Sequence, residues 1–119
     1  MTRKLRIHEA AAEEAAEAAA WYETERPGLG MDFEKAVNAA FDVLEQDVVP
    51  LTAIPDAAGS HGVKRLMLRR FPYAVIVKQS DVEIFVIAIA HHARRPGYWR
   101  NRLLSRGSAP TTPKKEGDR

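Results

Sequence analysis

Residues 73–90 read YAVIVKQSDVEIFVIAIA. Two runs rich in Val and Ile, Tyr73–Lys78 and Val82–Ala90, are joined by Gln79-Ser80-Asp81, which predicts a hairpin of two strands. The runs are apolar at nearly every position instead of alternating, so both faces of this hairpin need cover. Upstream, Val63–Arg70 alternates, with Leu66 and Leu68 on one side and Arg65, Met67 and Arg69 on the other. This is a strand with one apolar and one largely cationic side. If Leu66 and Leu68 face the core, Arg65 and Arg69 point to the opposite face. Leu5 and Ile7 around Arg6 predict a short first strand at Arg3–Ile7.

Between these strands the period changes. From Glu9 to about Arg26 the chain is built of Ala and Glu, strong helix formers. Ala11, Ala15, Ala18 or Ala19, and Tyr22 form one stripe, small enough for a neighbouring element to approach closely. Pro27 and Gly28 end this helix. A second follows from about Met31 to Gln46, with Phe33, Val37, Ala40 or Phe41, and Leu44 at helical spacing. A few residues join the two, so they form a helical hairpin. Pro50, Pro55, Gly59 and Gly62 punctuate a loop. After His91 and His92 the chain turns, and a short C-terminal helix is expected before Leu104. The predicted fold is α+β in the order β-α-α-β-β-β, with the hairpin packed on one face of a mainly antiparallel four-stranded sheet. One domain is expected over residues 1–106. The stretch 107–119, rich in Pro and charge, is expected to be a disordered tail.

Composition narrows the chemistry. With no Cys among 119 residues, disulfide scaffolds, thiolate zinc sites and thiol catalysis are excluded. No apolar run approaches the ~18–20 residues of a membrane span, and the N-terminus lacks a signal peptide's apolar stretch, so a cytoplasmic protein with no membrane partner is expected. The net charge of +2 hides an asymmetry. Residues 1–59 carry 5 Lys/Arg against 12 Asp/Glu, a balance of −7, and residues 60–106 carry 10 against 2, a balance of +8. Such a split points to a basic face for a polyanion or an acidic partner.

That basic half holds the informative cluster: Lys64, Arg65, Arg69, Arg70, Arg94, Arg95, Tyr98, Trp99, Arg100 and Arg102. Arginine presents a fixed fork of donors to phosphate or carboxylate, and aromatic rings stack on bases. Arg with Tyr and Trp is equally the composition of protein-interface hot spots, so nucleic acid and protein partners both fit. His91 and His92 are adjacent in a strand and face opposite sides, so they cannot ligate one metal together. One of them is a candidate general acid or base. Glu13, Glu14 and Glu17 read as a solvated helix face. No phosphate-cradling Gly-rich loop is present, since Gly28-Leu29-Gly30 lies between helices. Neither a cofactor nor a metal is expected.

Three stretches carry a resemblance: Trp21-Tyr22 with Arg26-Pro27-Gly28-Leu29-Gly30, then Leu68-Arg69-Arg70-Phe71-Pro72-Tyr73-Ala74-Val75, then Ala88-Ile89-Ala90-His91 through Arg94-Arg95-Pro96-Gly97-Tyr98-Trp99. Over residues 3–104 the chain resembles the RelE/ParE superfamily of bacterial toxins. The resemblance implies the toxin of a type II toxin–antitoxin pair, silenced in a hetero-oligomeric complex by a cognate antitoxin protein. One branch cleaves mRNA on the ribosome, and the other traps DNA gyrase without being a nuclease. For the ribonuclease, the resemblance implies catalytic roles for Arg65, Arg69, His92 and Tyr98. Arg65 keeps the first basic position of that branch and Tyr98 its aromatic. Met67 and Ala74 stand where further cations are expected, and His92 stands at an arginine position. Losing one preorganised donor commonly costs ~10²–10³ in rate, so these gaps favour the gyrase-directed branch over the ribonuclease, with a non-toxic protein-binding module of the same fold as a further alternative. Lys64, Arg70, Arg94, Arg95, Trp99, Arg100 and Arg102 are then the residues expected to bind target or antitoxin.

Overall fold

A computed structural model describes residues 4–46, 52–53, 62–95 and 97–104. The elements are β1 (Lys4–Ile7), α1 (Glu9–Glu25), α2 (Leu29–Gln46), β2 (Thr52–Ala53), β3 (Val63–Met67), β4 (Tyr73–Gln79), β5 (Glu83–His91) and α3 (Arg100–Leu104). The sheet order is β1-β5-β4-β3-β2. β1 runs parallel to β5, and all other neighbours are antiparallel. The α+β order read from the sequence is therefore present. To its four strands the structure adds β2, a two-residue edge strand against Lys64 and Arg65. The expected tail 107–119 and the loop residues Pro50, Pro55 and Gly59 lie outside the described residues.

The helical hairpin is fixed at both ends by local chemistry. His8 caps α1, its Nδ1 accepting from the Ala10 N–H at 3.0 Å. At the turn, the Glu23 carboxylate accepts from the Gly28 and Gly30 N–H groups at 3.0 Å, satisfying donors that the start of α2 would otherwise leave open. A Cβ at Gly30 would sit 2.5 Å from the Ala19 carbonyl oxygen, so the two backbones meet where only glycine fits. The small-residue stripe of α1 thus does what its composition implies.

Both faces of the β4–β5 hairpin are covered. On the helix side, Phe33, Val37 and Leu44 pack with Val75, Val77, Ile84, Val86 and Ile89. Tyr22 packs edge-on against Phe71 and Tyr73 there and tilted against Phe33, with Phe33 and Phe71 centroids 5.1 Å apart. Its neighbour Trp21 is not part of that core: it is 58% exposed. On the other face Val63, Ala74, Ile76, Phe85, Ile87, Ala88 and Ala90 are roofed by Trp99, with Tyr98 and Leu103 at the margin. A register shift between Ile76 and Val77 places Ile87 and Ala88 together on that face.

β3 ends at Met67, short of the Arg70 expected from the alternation. The chain turns at Arg70, whose φ is 72°, and Leu68 and Phe71 drop into the helix-side core. That turn separates Arg69 from Arg65, which the alternation alone would have kept on one face.

Candidate functional site

The far end of the sheet, on the face away from the helices, carries a cleft of about 120 Å³. Its floor is apolar, from Met67 on β3, Ala74 and Ile76 on β4 and Ala90 on β5. Around it stand Arg65, His91, His92, Arg94, Arg95 and Tyr98. Arg65 is exposed, as are His92, Arg94 and Arg95. The Arg94 guanidinium lies 3.8 Å from the Tyr98 ring centroid, a cation–π contact that fixes a charge at the rim. His91 is turned inward by its contacts. Its Nδ1 accepts from the Ala93 N–H at 2.9 Å, and its ring packs edge-on against Tyr73. The His92 backbone N–H donates to the Pro72 carbonyl, while its side chain is exposed.

The segment that closes the cleft is held by one carboxylate. Glu14 on α1 accepts four hydrogen bonds: from the Ile89 N–H at 2.9 Å, the Tyr98 hydroxyl at 2.7 Å, and both terminal nitrogens of Arg102 at 3.0 and 2.9 Å. Arg102 also donates to the Ile87 carbonyl at 3.0 Å. The reason lies in the sheet. β1 flanks β5 from Glu83 to Val86, and among the described residues no strand lies on that side of β5 from Ile87 onward. Glu14 and Arg102 take the place of the missing strand by pairing with its outward backbone groups.

The electrostatics follow from this burial. Desolvation pushes the Glu14 carboxyl upward, but the bonds from Arg102, Tyr98 and the Ile89 N–H outweigh it and hold the group below its ordinary value. Burial and the adjacent Glu14 carboxylate both raise Tyr98, so its hydroxyl stays protonated. Burial and the nearby Arg102 lower His8, which favours the neutral ring that caps α1.

The cationic and aromatic residues expected to form one surface divide into three groups. Arg65, His92, Arg94, Arg95 and Tyr98 come together at the cleft. Trp99 and Arg102 do not offer binding surface. Trp99 is 4% exposed, because the apolar face of β4 and β5 needs a roof, and Arg102 is taken up by Glu14. Others lie away from the cleft. Arg69 sits beside Ala36, Ala40 and Val43 of α2, and Arg70 pairs with Asp32 at 3.7 Å. Lys64 falls on the opposite side of β3 from Arg65. Arg100 is exposed, with its guanidinium against Gly97.

Glu14 is the residue that composition misplaced. Read with Glu13 and Glu17 it looks solvated, yet it lies three residues after Ala11 and four before Ala18, both buried. That spacing puts it on the packed face of α1, and it was the available signal. Among the described residues, no group of three His, Asp or Glu is placed to hold a metal. No helix there is long and apolar enough to cross a membrane.

No family model matches the chain, and no curated protein matches it. Among solved structures, a chain of the chromosomal ParDE TA system from P. aeruginosa has a similar fold, with a TM-score of 0.64 at 17% sequence identity. The likeness covers 76% of this chain and 96% of that one.

Proposed function

We propose that this protein is the toxin of a type II toxin–antitoxin pair, acting in the cytoplasm, and that it inhibits DNA gyrase instead of cutting RNA. A cognate antitoxin relieves the inhibition by forming a hetero-oligomeric complex with it. Arg65, Arg94 and Arg95 contact the target or the antitoxin, and the more distant Lys64, Arg70 and Arg100 extend that contact. The similarity in fold to a chain of a ParDE TA system supports the toxin assignment.

One observation carries the choice of target. The Tyr98 hydroxyl donates to Glu14 at 2.7 Å, so its proton points away from the cleft and its oxygen is a poor base. Phosphodiester cleavage by a ribose hydroxyl needs a base for that hydroxyl, donors for the phosphorane and an acid for the leaving oxygen. Met67 and Ala74 contribute none of these. A cleft with an apolar floor and a cationic rim instead suits a protein surface that carries an apolar side chain beside a carboxylate.

Purified protein is expected to block supercoiling by gyrase or to stabilise its cleaved DNA complex. Normal supercoiling at stoichiometric excess would remove this reading. A second reading, a ribosome-dependent endoribonuclease, draws on Arg65, His92 and Arg94 lining the same cleft. It requires codon-positioned mRNA cuts after induction, weakened by His92→Ala, whereas the gyrase reading requires intact mRNA.

A further inference from the structure

The outer edge of β5 keeps one rung open. Alternate residues of a strand send their backbone groups to the same edge, so Ile87, Ile89 and His91 all face the side that β1 does not reach. Arg102 takes the Ile87 carbonyl and Glu14 the Ile89 N–H. The His91 carbonyl accepts from the Arg94 N–H at 3.0 Å as the chain turns away. What remains is the Ile89 carbonyl and the His91 N–H, an acceptor and a donor two residues apart. Neither has a hydrogen-bond partner among the described residues.

Ile89 and His91 line a pocket of about 240 Å³ between this edge and α1. It lies on the helix side of β5, where Ile89 packs, whereas the cleft has Ala74 and Ala90 in its floor on the other face. Ala18, Trp21 and Tyr73 give it apolar surface. Trp21 is exposed, and its ring meets that of Tyr22 edge-on at 5.1 Å. The charged groups of the lining are Glu14, Glu17 and Arg94. Glu14 is taken up by Arg102, whereas Glu17 and Arg94 are exposed and form no ion pair among the described residues.

We propose that this pocket binds a nucleotide unit, its base edge on the Ile89 carbonyl and the His91 N–H, its ring on Trp21 and its phosphate on Arg94. A nucleobase carries a hydrogen-bond donor beside an acceptor on one edge, the complement of the open rung. An indole face stacks on any base, and a guanidinium suits a phosphate. The Glu17 carboxylate repels that phosphate and so directs it toward Arg94, while it can accept from a ribose hydroxyl. An extended peptide fits less well. Glu14 and Arg102 fill the rung before this one and the turn at His91 ends the strand, so a peptide gains a single rung. The pocket is separate from the cleft floor, and the inference stands whether or not the toxin reading holds.

The test uses the full chain with adenosine monophosphate, adenosine, inorganic phosphate and a short single-stranded oligonucleotide of adenines. Tryptophan fluorescence and amide chemical shifts are the readouts. Adenosine monophosphate is expected to bind saturably, quench the Trp21 emission and shift the His91 and Ala18 amides. Adenosine should do the same more weakly, and inorganic phosphate should leave the emission unchanged. Trp21→Ala, at an exposed position, is expected to weaken binding by about tenfold or more, and Trp21→Phe to restore most of it. Arg94→Gln should weaken the monophosphate and leave adenosine as it was. Shifts at the same amides from the monophosphate or from the oligonucleotide support the inference, and the tighter of the two tells a free nucleotide from a strand. The inference is overturned by no saturable binding of either, by equal binding to Trp21→Ala, or by shifts centred on Ala74 and Ile76 in the cleft floor.

Discussion

Arg94 and Arg102 lie eight residues apart and both approach the same ring, yet their surroundings assign them opposite work. Arg102 reaches round the edge of β5, clamps Glu14 with two nitrogens and keeps 18% of its side-chain exposure. Arg94 lies over the outer face of Tyr98, faces solvent and pairs with no carboxylate among the described residues. The difference arises where β1 stops. Beside Glu83–Val86 a strand satisfies the edge of β5, and beside Ile87–Ile89 side chains must do so. A cation at that edge is structural, while one at the cleft rim faces solvent. Arginine count alone cannot tell the two apart.

That contrast can be broken at its structural end first. Glu14→Ala takes away the carboxylate that Arg102, the Tyr98 hydroxyl and the Ile89 N–H share in a partly buried setting. Chemical denaturation is expected to show a loss of about 2–4 kcal/mol, since removing one partner of a buried pair strands the other. A loss below about 0.5 kcal/mol would place the node among surface ion pairs.

Acid provides the next test. The folded chain holds Glu14 below its ordinary value of 4.5, so the unfolded chain takes up that proton first. The node's stabilisation is complete above that value and is lost as pH falls through the folded pKa. His8 acts earlier. Its pKa is lowered in the fold, so its contribution is present above 6.5 and declines as pH drops below that value. Denaturation midpoints followed with pH should therefore fall in two stages. Replacing His8 with Ser keeps a cap on α1 and should flatten the upper stage alone.

Arg94→Ala removes a cation–π contact at an exposed site and is expected to cost about 0.5–1 kcal/mol. The smallest change belongs to the open end of the comparison. Arg65→Ala and Arg95→Ala should alter stability by no more than about 0.5 kcal/mol, as for other exposed positions with no ion pair among the described residues. A larger loss in either would mean that the cleft's cations also hold the fold.

Most of the architecture was legible because hydrophobic period reports it directly. The near-continuous runs of β4 and β5, the stripes of α1 and α2 and the alternation in β3 each name their element. β2 was not legible, since two residues carry no period. The end of β3 was missed because Arg70 adopts a positive φ that its side chain does not advertise. Trp99 was readable in principle. Two strands apolar on both faces need a roof on the side without helices, and the bulky apolar residues after β5 are Tyr98, Trp99, Leu103 and Leu104. The aromatic ring among arginines suggested a binding surface, but the core's demand for cover decided its place. Glu14 needed three-dimensional information of another kind: its helical position marks it as inward, but only the short pairing of β1 explains why a carboxylate belongs there.

Under the proposed function, the open cations of the cleft, not the locked ones, carry the biological effect. Its most direct measurement is growth after induction of the wild-type chain and of a variant with Arg65→Glu and Arg95→Glu, each checked for a native denaturation midpoint. Arrest by the wild type and normal growth with the equally stable variant are expected. Arrest of equal strength by both would contradict it.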